Sequence, residues 1–160
     1  APGFKYNMTD IAAALGLRQL AKADRFRARR AEVAARYTAG LGDLEEIEAP
    51  RERVDRRHAW HLYPIRLHLD RLAIGRDEFG QALAARGVAT SVHWRPLHMQ
   101  PYYAQRYGHR AEDFPVAFRE WRRLISLPIF PGMSDAAVDH VIAAVRDTTA
   151  DGRRRKFAVA

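Results

Sequence analysis

Residues 2–19, PGFKYNMTDIAAALGLRQ, run from a polar, aromatic turn straight into an apolar-periodic helix. Thr9 is placed to cap that helix, because its hydroxyl can accept from the free N–H groups of a first turn. Asp10 suits the positive end of the helix dipole. Further on, Ile11, Leu15, Leu20, Phe26, Val33, Tyr37 and Leu41 recur at helical spacing. Ala12, Ala13, Ala14, Ala34 and Ala35 favour helix by propensity, and Gly40 and Gly42 end the element. The pattern predicts one helix of about thirty residues, roughly 45 Å long. That exceeds the width of a small domain, so the helix is expected to bridge two domains or to pack along another subunit. Arg25, Arg27, Arg29, Arg30 and Arg36 are expected mainly on its wet side. The chain opens in mid-motif and reads as the second half of a longer polypeptide.

Downstream, residues 43–57 are charged, carry Pro50 and read as a loop. Trp60 to Leu67 alternates as a strand, with Pro64 pointing to an edge or a bulge. Arg76 to Arg86 reads as a helix with Phe79, Leu83 and Ala84 on one face, stopped by Gly87. Val88 to Trp94 reads as a second strand, broken by Pro96. A loop with a short helix around Tyr102 to Arg106 follows, then a helix from Phe114 to Arg123. Leu124 to Phe130 is a third extended stretch, closed by the turn pair Pro131-Gly132. Ser134 caps a last helix, Asp135 to Thr148, with Val138, Val141, Ile142 and Val145 as its stripe. The order predicts an α/β or α+β layer, a small three- or four-stranded sheet with helices against it. The divisions are an opening arm and long helix over 1–42, a small domain over 43–150 and a flexible basic tail over 151–160.

At 160 residues the chain supports one domain with its own core. A hydrophobic share of 48% and a charged share of 29% fit a soluble globular protein, without any run long enough to span a membrane. Cysteine is absent, which excludes disulfides and thiolate chemistry and suits a reducing cytosol. A cytoplasmic location is expected. The net charge is +8, and all but three of the 27 basic residues are arginine. Such a bias reads as a solvated surface of GC-rich coding origin. Arg25 to Arg36 has neither a base-reading face nor a short partner helix before it, so specific nucleic-acid binding is not expected. Arg153 to Lys156 would give only salt-sensitive attraction.

Two segments carry candidate chemistry. Lys5 and Asn7 stand just ahead of a helix N-terminus, where a cation, an amide and free N–H groups suit a phosphate. Phe4 and Tyr6 can hold that turn against a ligand. His93-Trp94-Arg95-Pro96-Leu97-His98 sits where a strand is expected to end, with Tyr102-Tyr103 behind it. Imidazoles, an indole and a guanidinium there suit an anionic, ring-bearing ligand, and imidazole titrates near neutrality. The plain alternative is a surface loop with His98 held by backbone. The spacing matches no zinc pattern, so no metal is expected. His58 and His61 are not expected to share one either, with Trp60 and Tyr63 as packing residues. Ser126 lacks the glycines of a nucleophile elbow.

Several blocks, in order and covering nearly the whole chain, resemble the DegT/DnrJ/EryC1/StrS sugar aminotransferases. They are Gly3 to Ile11 with Ala13 to Gly16, Arg29-Arg30 with Ala35 to Tyr37, Ala59 to Tyr63, Val92 to His98, Pro101 to Tyr103, and Ser126 to Met133. The resemblance implies the small C-terminal domain of a fold type I, pyridoxal-phosphate-dependent enzyme. Such an enzyme makes an amino sugar from a nucleotide-linked keto sugar, with glutamate as donor, and works as a homodimer with sites between subunits. It also implies that the Schiff-base lysine lies upstream, so no catalytic residue is expected in this chain and the piece alone is expected to be inactive, with no cofactor held. Lys5 and Asn7 stand where the family often has asparagine and arginine, and are the expected cofactor-phosphate contacts. Tyr6, His93, Trp94 and His98 are the expected substrate contacts. Two other readings stand beside this one: a non-catalytic regulatory or binding protein of the same family, and a stable proteolytic remnant.

Overall fold

The computed structural model describes residues 6–153. Lys5 and residues 154–160 of the expected tail lie outside the described residues. The elements are α1 (Asp10–Leu20), α2 (Ala23–Leu41), β1 (Ile47–Glu48), β2 (Tyr63–Leu67), α3 (Arg76–Ala85), α4 (Pro101–Tyr107), α5 (Pro115–Arg123), β3 (Leu124–Leu127) and α6 (Asp135–Gly152). Single 3-10 turns at Leu97–Met99 and Ala111–Asp113 flank α4.

The one long helix expected at the start is two. Thr9 caps α1 as predicted, its hydroxyl accepting from the N–H of Ala12 at 3.3 Å. A turn at Ala21-Lys22 then separates α1 from α2. Their apolar stripes have different fates. On α2, Val33, Tyr37 and Leu41 are fully buried, one turn apart on one face. Each such side chain contributes about 1.5–3 kcal/mol by leaving water. On α1 no residue is buried, and Ile11, Leu15 and Leu20 stand 77%, 62% and 72% exposed.

The sheet has the order β1-β2-β3 and is antiparallel throughout. Tyr63, Ile65 and Leu67 alternate inward along β2, facing Ile125 and Leu127 of β3. β1 lies inside the stretch read as a loop. It covers only Arg66 and Leu67 of β2, so at Pro64 that flank has no paired strand and the proline is tolerated in the middle strand. The second strand expected at Val88 to Trp94 does not form. A single bridge between Ser91 and Ser126 stands in its place. A fourth strand therefore contributes one rung.

Helices α2, α3 and α6 enclose the core on one side of the sheet. Phe79 and Leu83 of α3 are buried, whereas Ala84 is exposed. Gly87 takes φ +77°, a left-handed position that glycine reaches without a Cβ clash, and ends that helix as expected. Val138, Val141 and Val145 form the buried stripe of α6, with Ile142 packed partly against it. The helix runs four residues beyond its predicted end. Asp151 to Arg153, assigned by sequence to the loose tail, is anchored: Arg153 donates to the buried Glu46 carboxylate at 2.7 Å, and Ala73 N–H to Gly152 O at 2.8 Å. Among the described residues no helix is long and apolar enough to cross a membrane.

Candidate functional site

Tyr6, Asn7 and Met8 precede the Thr9 cap, and all three are exposed. The turn thus presents an amide and the first N–H groups of α1 outward, as a phosphate-reaching arm would.

The second segment hangs on β3. His93 Nδ1 lies 3.0 Å from Oγ of Ser126, a side chain only 3% exposed. The backbone N–H groups of Ser91 and Ser126 donate to each other's carbonyls, at 3.2 and 2.8 Å. The peptide between His93 and Trp94 is cis, and the two rings meet edge to face at 4.6 Å. Trp94 is 77% exposed and offers an unoccupied indole face. His98 behaves differently. Its Nε2 lies 3.2 Å from the carbonyl of Ala111, and its ring packs on Phe114 at 4.5 Å. One nitrogen is therefore held by backbone, the plainer of the two readings of this residue.

Sequence reasoning missed two supports. Ser126, which lacks the surroundings of a nucleophile, is the partner of His93. Its place in a short strand, between Ile125 and Leu127, gave no pattern to flag it. Arg30, assigned to the wet side, donates to three carbonyls: Trp60 at 3.1 Å, His61 at 3.2 Å and Ile129 at 2.9 Å. This clamp ties the approach to β2 to the segment leaving β3. Trp60 needs it, because it sits at φ +49°, a left-handed conformation unfavourable for a bulky side chain. His58 Nδ1 accepts from the Trp60 N–H at 2.8 Å and its ring lies 4.1 Å from the indole. Trp60 and Tyr63 are core packing, as expected. Arg29 likewise turns inward, donating to the Met133 carbonyl and to Asp135, both at 2.7 Å. That bond, with the neighbouring Arg36 charge, holds the Asp135 carboxyl below the usual range.

On the other face of the sheet, Glu48 and Glu120 meet Arg66 and Arg123. Burial pushes both carboxyls up, yet the arginines outweigh it and hold them below the ordinary carboxylate value. Among the described residues no group of three or more histidine or acidic side chains is arranged to hold a metal.

Three helices over one side of a small antiparallel sheet, with an arm and a loop left facing outward, form the C-terminal portion of the fold type I aminotransferase architecture. The chain belongs to the DegT/DnrJ/EryC1/StrS aminotransferase family, whose model matches residues 1–146. It is 43% identical to the spore coat polysaccharide biosynthesis protein SpsC of Bacillus subtilis, over 92% of this chain and 38% of that one. Among solved structures, S. venezuelae DesV in complex with a ketimine intermediate superposes at a TM-score of 0.81 and 32% identity. The PLP form of Spr1654 from Streptococcus pneumoniae does so at 0.84 and 30%. Each match covers 94% of this chain and 38% of the other. The chain thus spans less than two fifths of the length of these relatives.

Proposed function

We propose that this chain is the substrate- and partner-facing portion of a pyridoxal-phosphate-dependent aminotransferase. The complete enzyme converts a nucleotide-linked keto sugar to an amino sugar, takes its nitrogen from glutamate and works in the cytoplasm as a homodimer. The observation that carries this reading is the arm: Tyr6 and Asn7 are exposed and no residue of α1 is buried. A turn built to fold back on its own body would bury part of α1.

The described residues fit the cofactor only at its phosphate. Asn7 and the first N–H groups of α1 are polar, exposed donors at a helix N-terminus, with Lys5 beside them in sequence. The anchoring lysine belongs to polypeptide outside these residues. When bound, the cofactor supplies an electron sink that lets an amino group pass from donor to acceptor. Tyr6, His93 and Trp94 orient the sugar nucleotide, with Trp94 offering its ring face and His93, steadied by Ser126, its remaining nitrogen. His98 takes the same pocket's rim.

The test is to supply the protein, in its full reading frame, with 15N-glutamate and a panel of nucleotide-linked keto sugars. Label appearing in a sugar amine supports the proposal, and Asn7→Ala or His93→Ala then raises KM. A full reading frame without an upstream lysine, or no label transferred to any sugar, would sink it.

A further inference from the structure

A second open site lies along α5, beside the end of β2. A cavity of about 460 Å3 runs between the end of β2 and α5, with Leu67, Leu69 and Phe118 among its walls and Arg119, Arg122 and Arg123 along its rim. A second cavity of about 380 Å3 shares Leu69, Phe118 and Arg122 with it and reaches Trp121. The rings of Phe118 and Trp121 stack at 6.1 Å, with the Arg122 guanidinium over the first at 5.7 Å and that of Arg76 over the second at 5.2 Å.

Asp77 and Glu78 offset Arg76 and Arg122 in the second cavity, but the first carries Arg119, Arg122 and Arg123 against Asp70 alone. Glu120 alone faces three guanidiniums, those of Arg66, Arg119 and Arg123. Arg123 and Arg66 also share Glu48. Among the described residues Arg122 pairs with no carboxylate and lies over the Phe118 ring. Asp70 lines the same cavity and makes no ion pair with these arginines. Arg76 differs from the rest: it is nearly buried, engaged with Asp77 and the carbonyls of Trp121 and Leu124, and so holds the aromatic stack in place. The result is an apolar slot beside preformed aromatics, under a cationic rim with one uncommitted guanidinium.

We infer that this groove is a binding site for a small organic phosphate with a planar body, of the nucleoside monophosphate class, separate from the site of the proposed transamination. A guanidinium presents paired donors matched to phosphate oxygens and stacks on planar rings. The leucine and phenylalanine walls suit the ring and exclude water from it, which strengthens the contact with the phosphate. Arg122 supplies the principal phosphate contact. Arg119 supplies a weaker one, since Glu120 competes for it.

Isothermal titration with uridine monophosphate tests this, beside uridine alone and inorganic phosphate alone. Saturable binding of the monophosphate, tighter than either half, supports the site. Arg122→Gln then weakens it about tenfold or more, the loss expected for one charge-assisted contact. Arg119→Gln weakens it less, and Arg110→Gln, at a mostly exposed arginine on another turn, leaves it unchanged. The three indole N–H signals of the protein locate the ligand, because Trp121 shifts on binding while Trp60 and Trp94 do not. No saturable binding overturns the inference. So does equal affinity for inorganic phosphate, equal loss in all three arginine variants, or a shift of Trp94 in place of Trp121.

Discussion

His93 and Ser126 meet across the start of the one-rung fourth strand, imidazole Nδ1 to hydroxyl Oγ at 3.0 Å. The serine comes from the core strand and the histidine from an irregular segment, so this contact sets the ring where the strand ladder does not. Replacing Ser126 by alanine removes it at a cost of about 1 kcal/mol. The expected signature is a shift in the 15N resonances of the His93 ring, together with a modest drop in the urea midpoint. An unchanged imidazole spectrum would mean the hydroxyl does not position it.

Arg30 holds three carbonyls at once, all through Nη1. Arg30→Gln is expected to destabilise by about 2–4 kcal/mol, since hydrogen bonds to charged groups contribute more than neutral ones and the left-handed backbone at Trp60 loses its restraint. Arg30→Lys keeps the charge and a single nitrogen donor, as Nη1 is here, but on a shorter stem, and should recover only part of the loss. Urea unfolding curves of the two variants decide this. Full rescue by lysine would point to charge rather than geometry.

Acid should weaken the fold through the carboxylates that arginines hold down. Glu48, Glu120, Asp43 and Asp135 all titrate below their ordinary values in the folded state. In each case the unfolded chain takes up protons first as pH falls. The stability they supply is therefore complete above about pH 5 and drains away below about pH 4. The double variant Glu48→Gln, Glu120→Gln should flatten the slope of urea midpoint against pH in that window. The same slope in variant and parent would exclude this network as its source.

Gly40 of α2 packs directly against Ile142 of α6. A Cβ built there would stand 2.8 Å from Cγ2 and 3.3 Å from Cγ1 of Ile142. Both atoms branch from the isoleucine Cβ, so a χ1 rotation that clears one brings the other in. Gly40→Ala gains up to about 1 kcal/mol in helix propensity but crowds the interface by about 1–3 kcal/mol, for a net loss. Adding Ile142→Ala should return part of it. A double-mutant cycle measures the coupling, and additive effects would contradict the clash.

Leu15 on α1 touches none of the core, so Leu15→Glu should leave unfolding free energy within about 0.5 kcal/mol of the parent. On the proposed homodimer it should also lower self-association, read by sedimentation velocity. A large loss of stability would place α1 against its own body and remove the arm from the functional reading.

Much of this architecture was legible in residue order. The α2 stripe of Val33, Tyr37 and Leu41, the α6 stripe, the Thr9 and Ser134 caps and the glycine stop after α3 depend on local periodicity and on side chains bonding within a turn. The same periodicity ran without a break through Ala21-Lys22, because a one-turn interruption hardly changes a hydrophobic pattern. Val88 to Trp94 has a strand's composition, yet pairing is a long-range matter and only Ser91 found a partner. At the candidate site, the arm and the His93 segment could be named from sequence. The long-range contacts could not: Ser126 holds His93 from 33 positions away, and Arg30 reaches the Ile129 carbonyl 99 positions on.

Taken alone, the order of amino acids determined the kinds of element, their caps and the family to which the blocks belong, because those follow from interactions within a few residues and from motifs kept in register. Tertiary structure alone decided which apolar stripe is buried and which is left open on α1, which arginines turn inward, and that His98 is held by backbone while Trp94 stays free. Those outcomes depend on what each side chain meets across the fold, where desolvation and a distant carbonyl or carboxylate outweigh local preference.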